Sequence, residues 1–103
     1  MTLADIKNRC DENKIKYQYG FVEDNTSPPY VCAVIDDSNN FVADNKVYKK
    51  IQLVELYYTY KVKNLEMEAL IEDTILDGVV WRKSNEVYFY DNNVWQIIYN
   101  FSI

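Results

Sequence analysis

The sequence contains no histidine among its 103 residues. This absence excludes the usual serine and cysteine catalytic triads and most zinc and iron sites, because each depends on an imidazole group. The two glycines, Gly20 and Gly78, stand alone, so there is no glycine-rich phosphate loop. The two cysteines, Cys10 and Cys32, are too few for a disulfide framework, and we expect both to be reduced and buried. The sequence therefore predicts no catalytic residue, no metal site and no cofactor.

Long apolar runs are also missing. The longest unbroken run, residues 30–35, is too short to span a bilayer, and no charged-then-apolar leader opens the chain. We therefore expect no membrane partner and no cleaved export signal. The 11 basic and 16 acidic residues give a net charge of −5, which counts against specific nucleic-acid binding. A hydrophobic content of 49% makes disorder unexpected.

Hydrophobic periodicity predicts one α+β domain over residues 1–103, with a mostly antiparallel sheet of about five to six strands and two helices. Thr2 and Asp5 form the pattern of a helix N-terminus, and Asn64 and Gly78 are placed to begin and end a second helix. The predicted order is α-β-β-β-α-β-β-β. The predicted strands are residues 15–21, 30–35, 47–62, 79–82, 86–90 and 95–103.

Charge is unevenly distributed along the chain. Residues 46–63 carry five basic side chains and one acidic, whereas residues 64–103 carry two basic and seven acidic. Unlike surfaces of this kind suit a head-to-tail contact between identical subunits. Charges spread over a solvated surface explain the same numbers equally well, so both interpretations stay open.

Two apolar features favour association with a partner. Phe41 and Val42 lie in a polar stretch, and Leu65, Ala69 and Leu76 form a second apolar stripe on the predicted second helix. Loop side chains that fold back onto the domain, and a helix that is buried on two sides, are the alternatives.

The predicted second helix is acidic and carries no basic residue between positions 65 and 77. Buried carboxylates can do acid–base chemistry, but a solvated acidic face is the favoured interpretation. The acidic residues are Glu66, Glu68, Glu72, Asp73 and Asp77.

Tyrosines on the predicted strands support a different class of function, a small binding module that recognises a peptide or single-stranded nucleic acid by stacking. Tyrosine is also a common strand residue, which explains the same pattern without a ligand. The tyrosines concerned are Tyr57, Tyr58, Tyr60, Tyr88, Tyr90 and Tyr99.

Residues 28–103 resemble a family of small tail proteins from phages and prophages of Gram-positive bacteria. The resemblance rests on Pro28-Pro29-Tyr30 before a strand, a Ser38-Asn39-Asn40-Phe41 turn, and the segment Ala43-Asp44-Asn45-Lys46-Val47-Tyr48. A strand rich in Glu, Leu and Tyr, an acidic helix and an alternating final strand follow, as in the family. Residues 38–51 are the most specific part.

The family resembles siphophage tail terminator, or tail-completion and head–tail joining, proteins. This resemblance implies a structural virion protein and not an enzyme: a ring, often a hexamer, that caps the tail tube and ends its polymerisation. The implied partners are further copies of the chain, the major tail tube protein and a head-completion or connector protein. The implied location is the virion tail, assembled in the bacterial host cytoplasm.

Candidate contact residues in such a ring are taken from the apolar and basic positions above. We expect Glu66, Glu68 and Glu72 to contribute an acidic face toward the lumen, where like charge lets DNA pass. The subunit or partner interface is predicted to include Phe41, Val42, Tyr48, Lys49, Lys50, Leu65 and Leu76.

Overall fold

The structure, a computed structural model, describes residues 1–38, 41–43, 46–49 and 51–103, and for 36–38, 41–43 and 46–49 it describes the backbone only. It confirms the predicted α+β class and, for the two helices and the six strands of the main sheet, the predicted order α-β-β-β-α-β-β-β. The elements are α1 (Leu3–Glu12), β1 (Tyr17–Tyr19), β2 (Tyr30–Ser38), β3 (Phe41–Ala43), β4 (Lys46–Lys49), β5 (Gln52–Tyr60), α2 (Leu65–Leu70) with a π-helical turn (Ile71–Ile75), β6 (Trp81–Lys83), β7 (Val87–Phe89) and β8 (Val94–Ser102).

Helix α1 begins with the predicted capping box. The Thr2 hydroxyl accepts a hydrogen bond from the Asp5 backbone N–H at 3.2 Å, and the Asp5 carboxylate accepts one from the Thr2 backbone N–H at 2.9 Å. These two bonds satisfy backbone donors that the first helical turn leaves unpaired. They also lower the pKa of Asp5. Ile6 and Cys10 are fully buried on the inner side of the helix, as their spacing predicts.

The six strands of the main sheet follow the order β1-β2-β5-β8-β6, and β7 pairs with β8 beside β6. The β1–β2 pair is parallel, and all other pairs of the main sheet are antiparallel. Strand β2 therefore lies between two strands along Val31–Ala33, where β1 pairs with one side of it and β5 with the other.

The predicted strand over residues 47–62 is divided in the structure. Its first residues belong to β4, which pairs with β3 in a separate two-stranded sheet, and the main sheet resumes only at Gln52. β3 lies within the polar stretch that contains Phe41 and Val42, where no strand is predicted from the sequence. The hairpin β3–β4 thus stands outside the six-stranded sheet.

Both helices cover one face of the sheet. Strand alternation places Val54, Leu56 and Tyr58 on this face, and each is no more than 1% exposed. Cross-strand neighbours in β2 and β8 extend the same buried layer, and the helices add Ile6, Cys10, Ile71, Ile75 and Leu76 to it. One hydrophobic core therefore lies between a single sheet and a single layer of helices.

The second helix begins at the predicted cap and then changes its winding. The Asn64 side chain accepts a hydrogen bond from the Met67 backbone N–H at 3.1 Å. The π-helical turn ends where the Leu76 N–H donates to the Ile71 carbonyl at 2.9 Å. Gly78 then adopts a φ of +93°, a left-handed conformation that glycine tolerates, and so ends the element as predicted.

The end of the π-helical turn is held by a side chain from the other helix. One Arg9 nitrogen, Nη1, donates to the carbonyls of Ile75 at 3.1 Å and Asp77 at 2.7 Å. The last carbonyls of a helical segment have no partner within the segment, and a cation is favourable there. Arg9 therefore joins α1 to the end of the second helix.

Candidate functional site

Five of the predicted interface residues fall in or beside the hairpin β3–β4. The backbone of Phe41, Val42, Tyr48 and Lys49 is part of that hairpin, but their side chains lie outside the described residues, as does all of Lys50. In the hairpin register Phe41 is opposite Lys49. Their role at an interface stays a prediction.

The predicted second apolar stripe does not exist as one surface. Leu65 is 71% exposed and Ala69 is exposed, whereas Leu76 is 1% exposed and packs in the core. The reason is the π-helical turn, because i to i+5 bonding shifts each later residue around the helix relative to an α-helical wheel. Leu76 therefore packs on the same side as Ile71 and Ile75. The prediction that its side chain contacts another subunit is wrong. Leu65 stays available for one.

The predicted acidic face is also only partly correct. Glu66 is exposed, but the side chain of Glu68 is 4% exposed and that of Glu72 is 19% exposed. Glu68 cannot face a lumen, because lysines from two other segments surround its carboxylate. The exposed acidic residues of this element are Glu66, Asp73 and Asp77.

The carboxylate of Glu68 is the centre of a charged cluster. Lys63 Nζ lies 2.7 Å from one carboxylate oxygen, and Lys83 Nζ lies 2.7 Å from the other. Burial opposes ionisation, but the hydrogen bonds and charges of the two ammonium groups outweigh it, so the pKa of Glu68 is held below its usual value. The carboxylate is therefore ionised at neutral pH.

The cluster joins five segments of the chain. Lys83 of β6 also contacts Glu72 at 2.7 Å, and Lys63 also pairs with Glu86 before β7. Tyr99 of β8 donates its hydroxyl hydrogen bond to Glu72 at 2.8 Å. A buried charge is costly unless it is paired, and this network supplies the pairing. The network therefore links the second helix to strands of the sheet.

Buried tyrosine hydroxyls border the cluster. Desolvation, assisted by the charge of Glu68, raises the pKa of Tyr58 to about 12, and desolvation with the Glu72 hydrogen bond raises the pKa of Tyr99 further. These phenols stay protonated over the physiological range, so they do not act as bases. The cluster has the properties of a structural network.

Three of the six tyrosines on which the stacking hypothesis depends are buried in the core. Tyr58, Tyr60 and Tyr99 are no more than 2% exposed, because strand parity turns them toward the helices. Of the others, Tyr88 has its ring centroid 4.9 Å from that of Tyr90, and its register with Trp95 and Tyr60 places it on the opposite face of the sheet from Tyr57. The described tyrosines do not form one continuous stacking platform.

The face of the sheet opposite the helices carries an accessible depression. It measures about 320 Å³ and contains polar and apolar groups side by side. Cys32 and Thr59 are 6% and 2% exposed there, while Phe21 at its border is 72% exposed. The Cys32 pKa is raised, mainly by desolvation, so its thiol is not activated. The lining residues include Phe21, Val22, Tyr30, Val34, Tyr57 and Gln96.

Among the residues that the structure describes, no group of three acidic or cysteine side chains is arranged to hold a metal ion. No helix in the described part of the chain has the length and apolar character needed to cross a membrane. No protein-family model matches the sequence, and a search of curated proteins found no match.

Two further features have no signal in the local sequence. The Arg9 side chain holds the end of the second helix, and Val80, inside the predicted strand over residues 79–82, is 92% exposed directly before β6. A valine between Val79 and Trp81 has the pattern of a buried strand, so no local signal distinguishes it.

Proposed function

We propose that the chain is a structural tail protein of a phage or prophage, which caps the tail tube as a ring, ends tube polymerisation and joins the tail to the head. The observation that carries the proposal is the position of the hairpin β3–β4. Within residues 38–51, the most specific part of the family resemblance, β3 and β4 form a hairpin that pairs with none of the described strands of the main sheet. A hairpin with a distinctive sequence and no place in the main sheet is suited to a contact between molecules.

The one-sided architecture supports the same function. The helices bury one face of the sheet, while the opposite face presents half-buried apolar side chains such as Val34, Leu53 and Ile98. Ring assembly needs unlike surfaces that meet each other, and a domain with one covered and one uncovered sheet face has them.

The acidic lumen is proposed in a revised form. Glu68 and Glu72 are engaged with lysines, so the charge available to repel DNA comes from Glu66, Asp73 and Asp77. These three are the exposed acidic side chains along α2, its π-helical turn and the residues that follow.

The test is assembly on tail tubes. Purified protein is mixed with growing tubes of the major tail tube protein and imaged by negative-stain electron microscopy. We expect rings at tube ends and an arrested tube length. Tubes that lengthen as they do without the protein, with no density at their ends, would contradict the proposed function.

A further inference from the structure

The main sheet has an open edge beside β1. Strand β2 is nine residues long, but β1 pairs only with Val31–Ala33 of it, and the last bond of this edge joins the Gly20 N–H to the Ala33 carbonyl at 2.9 Å. Backbone groups alternate in direction along a strand, so the N–H and C=O of Ile35 point to the same side as those of Ala33. No described strand pairs with Ile35 on that side.

An apolar groove runs next to this open edge. It measures about 320 Å³ and lies between α1 and the helix-side face of the sheet. Its lining is apolar apart from one lysine and the tyrosine hydroxyls, and Tyr19 within it is 50% exposed. The lining residues are Leu3, Ala4, Lys7, Tyr17, Tyr19 and Ile35.

At the opposite edge of the same sheet, formed by β6, the described residues also leave a strand unpaired next to an exposed apolar side chain. Within the described residues β6 pairs with β8 and with no strand on its outer side. Val80, which precedes it directly, is 92% exposed and is the most exposed large apolar side chain of the described residues. An unpaired strand edge with an exposed valine is a site for strand addition.

The two edges differ in charge. Residues 34–38 include two aspartates and no basic residue, and residues 79–83 include Arg82 and Lys83 and no acidic residue. Lys83 is shared with Glu68 and Glu72, so the exposed Arg82 supplies most of the free positive charge. Opposite charges along two edges of one chain favour a second copy of that chain as the strand that pairs with the open β2 edge.

We infer that the β6 edge of one copy adds to the open β2 edge of the next, with Val80 of the first entering the groove beside Tyr19 of the second. This inference rests on the proposed ring, because a contact between two different edges is head-to-tail and closes a ring when its rotation allows. The contact completes the backbone bonding of both edges and removes the exposed valine from water.

Cysteine cross-linking tests the geometry. The native Cys10 and Cys32 are buried and leave little background. The variant that combines Tyr19→Cys with Val80→Cys is oxidised at high concentration, and covalent species are separated by non-reducing electrophoresis. We expect a ladder that extends beyond the dimer, whereas each single variant stops at the dimer. The combination of Tyr19→Cys with Asp73→Cys is the matched control and gives no ladder.

A charge substitution tests the energetics. Val80→Lys is compared with Val62→Lys, because Val62 is also an exposed valine, at 79%, but lies outside both edges. We expect Val80→Lys to weaken self-association at least about tenfold in sedimentation experiments, and Val62→Lys to leave it within about threefold. Circular dichroism melting should change little for either variant, since both side chains are exposed.

The outcomes separate this contact from the proposed function. Absence of a ladder in the Tyr19→Cys/Val80→Cys variant, or equal association of the two lysine variants, overturns the edge contact even if rings form. Rings that are cross-linked at these positions but do not arrest tube growth leave the edge contact standing and contradict the tail-terminator function. Capture of a different protein by the groove in place of a second copy also overturns the inference.

Discussion

The two faces of the sheet carry the same residue types in different environments. Neighbouring residues Tyr57 and Tyr58 point in opposite directions, so Tyr58 is 1% exposed under the helices and Tyr57 is half-buried on the uncovered face. The covered face encloses an apolar core and a paired carboxylate. The uncovered face keeps polar and apolar groups side by side around an open depression. Residue type alone therefore does not tell which side chains are buried in the core and which lie on the other face of the sheet.

The largest difference between the faces is expected from truncating leucines in β5. Leu56 is fully buried against the helices, whereas Leu53 is half-buried on the other face. Leu56→Ala should cost about 3 kcal/mol of unfolding free energy, because it leaves a cavity in the core, and Leu53→Ala should cost less than about 1 kcal/mol. Urea unfolding followed by circular dichroism measures both. Similar losses would mean that the uncovered face is packed as tightly as the core.

The charged cluster beneath the covered face gives the next comparison. Glu68→Gln leaves Lys63 and Lys83 without their shared partner, and we expect a loss of about 2 kcal/mol, at the lower end for a buried pair because both lysines are partly exposed. Glu66→Gln on the exposed side of the same helix should change stability by less than about 0.5 kcal/mol. Equal effects in urea unfolding would show that the cluster contributes no more than a surface ion pair.

The joint between the two helices should show an intermediate effect. Arg9→Ala removes the donor to the carbonyls of Ile75 and Asp77, and a loss of about 1–2 kcal/mol is expected. Lys7→Ala removes an exposed i,i+4 pair with Asp11 and should cost no more than about 0.5 kcal/mol. Thermal melting of both variants beside the parent measures the difference. If Arg9→Ala melted at the same temperature as the parent, the Arg9 hydrogen bonds would not stabilise the contact between the two helices.

The pH dependence of the unfolding free energy tests whether Glu68 is a paired, ionised carboxylate in the folded protein. Its folded pKa lies below the usual value of 4.5, so the unfolded chain binds the proton more readily. The stabilisation is therefore complete well above pH 4.5 and is lost as the pH falls through and below that value. The stability difference between the parent and Glu68→Gln, measured by urea unfolding from pH 7 to pH 3, should shrink toward the acidic end. A difference that grows on acidification contradicts the direction of the shift.

The smallest effect on the monomer is expected in the hairpin. Phe41→Ser should impair ring assembly while leaving the melting temperature almost unchanged, if the Phe41 side chain meets a partner. Negative-stain imaging and circular dichroism measure the two properties on one preparation. A large fall in melting temperature would instead place this ring in the core of its own domain.

Local patterns predicted much of the fold. The Thr2–Asp5 capping box, the Asn64 cap of the second helix and the glycine at the end of that helix were all correct, because each depends on neighbours a few residues away. The strand boundaries were less accurate. The single strand predicted over residues 47–62 is divided because its first part pairs with β3, and β6 begins at Trp81 instead of residue 79.

The candidate site was predicted less well, since its properties come from contacts between distant parts of the chain. Glu68 has the sequence context of a solvated helix residue and becomes buried only because β6 brings Lys83 against it. Leu76 was placed on the wrong side because a wheel with 3.6 residues per turn does not represent a π-helical turn. The open edge at Ile35 depends on where β1 ends in space.

Composition and short-range periodicity were enough to establish the α+β class, the order of the helices and the main-sheet strands, and the absence of histidine chemistry. These properties follow from backbone geometry and side-chain alternation, which act over a few residues. Which carboxylate is buried, which arginine holds the second helix and which edges of the sheet stay unpaired were settled by packing. Packing brings together residues such as Arg9 and Asp77, 68 positions apart, and no local pattern encodes that meeting.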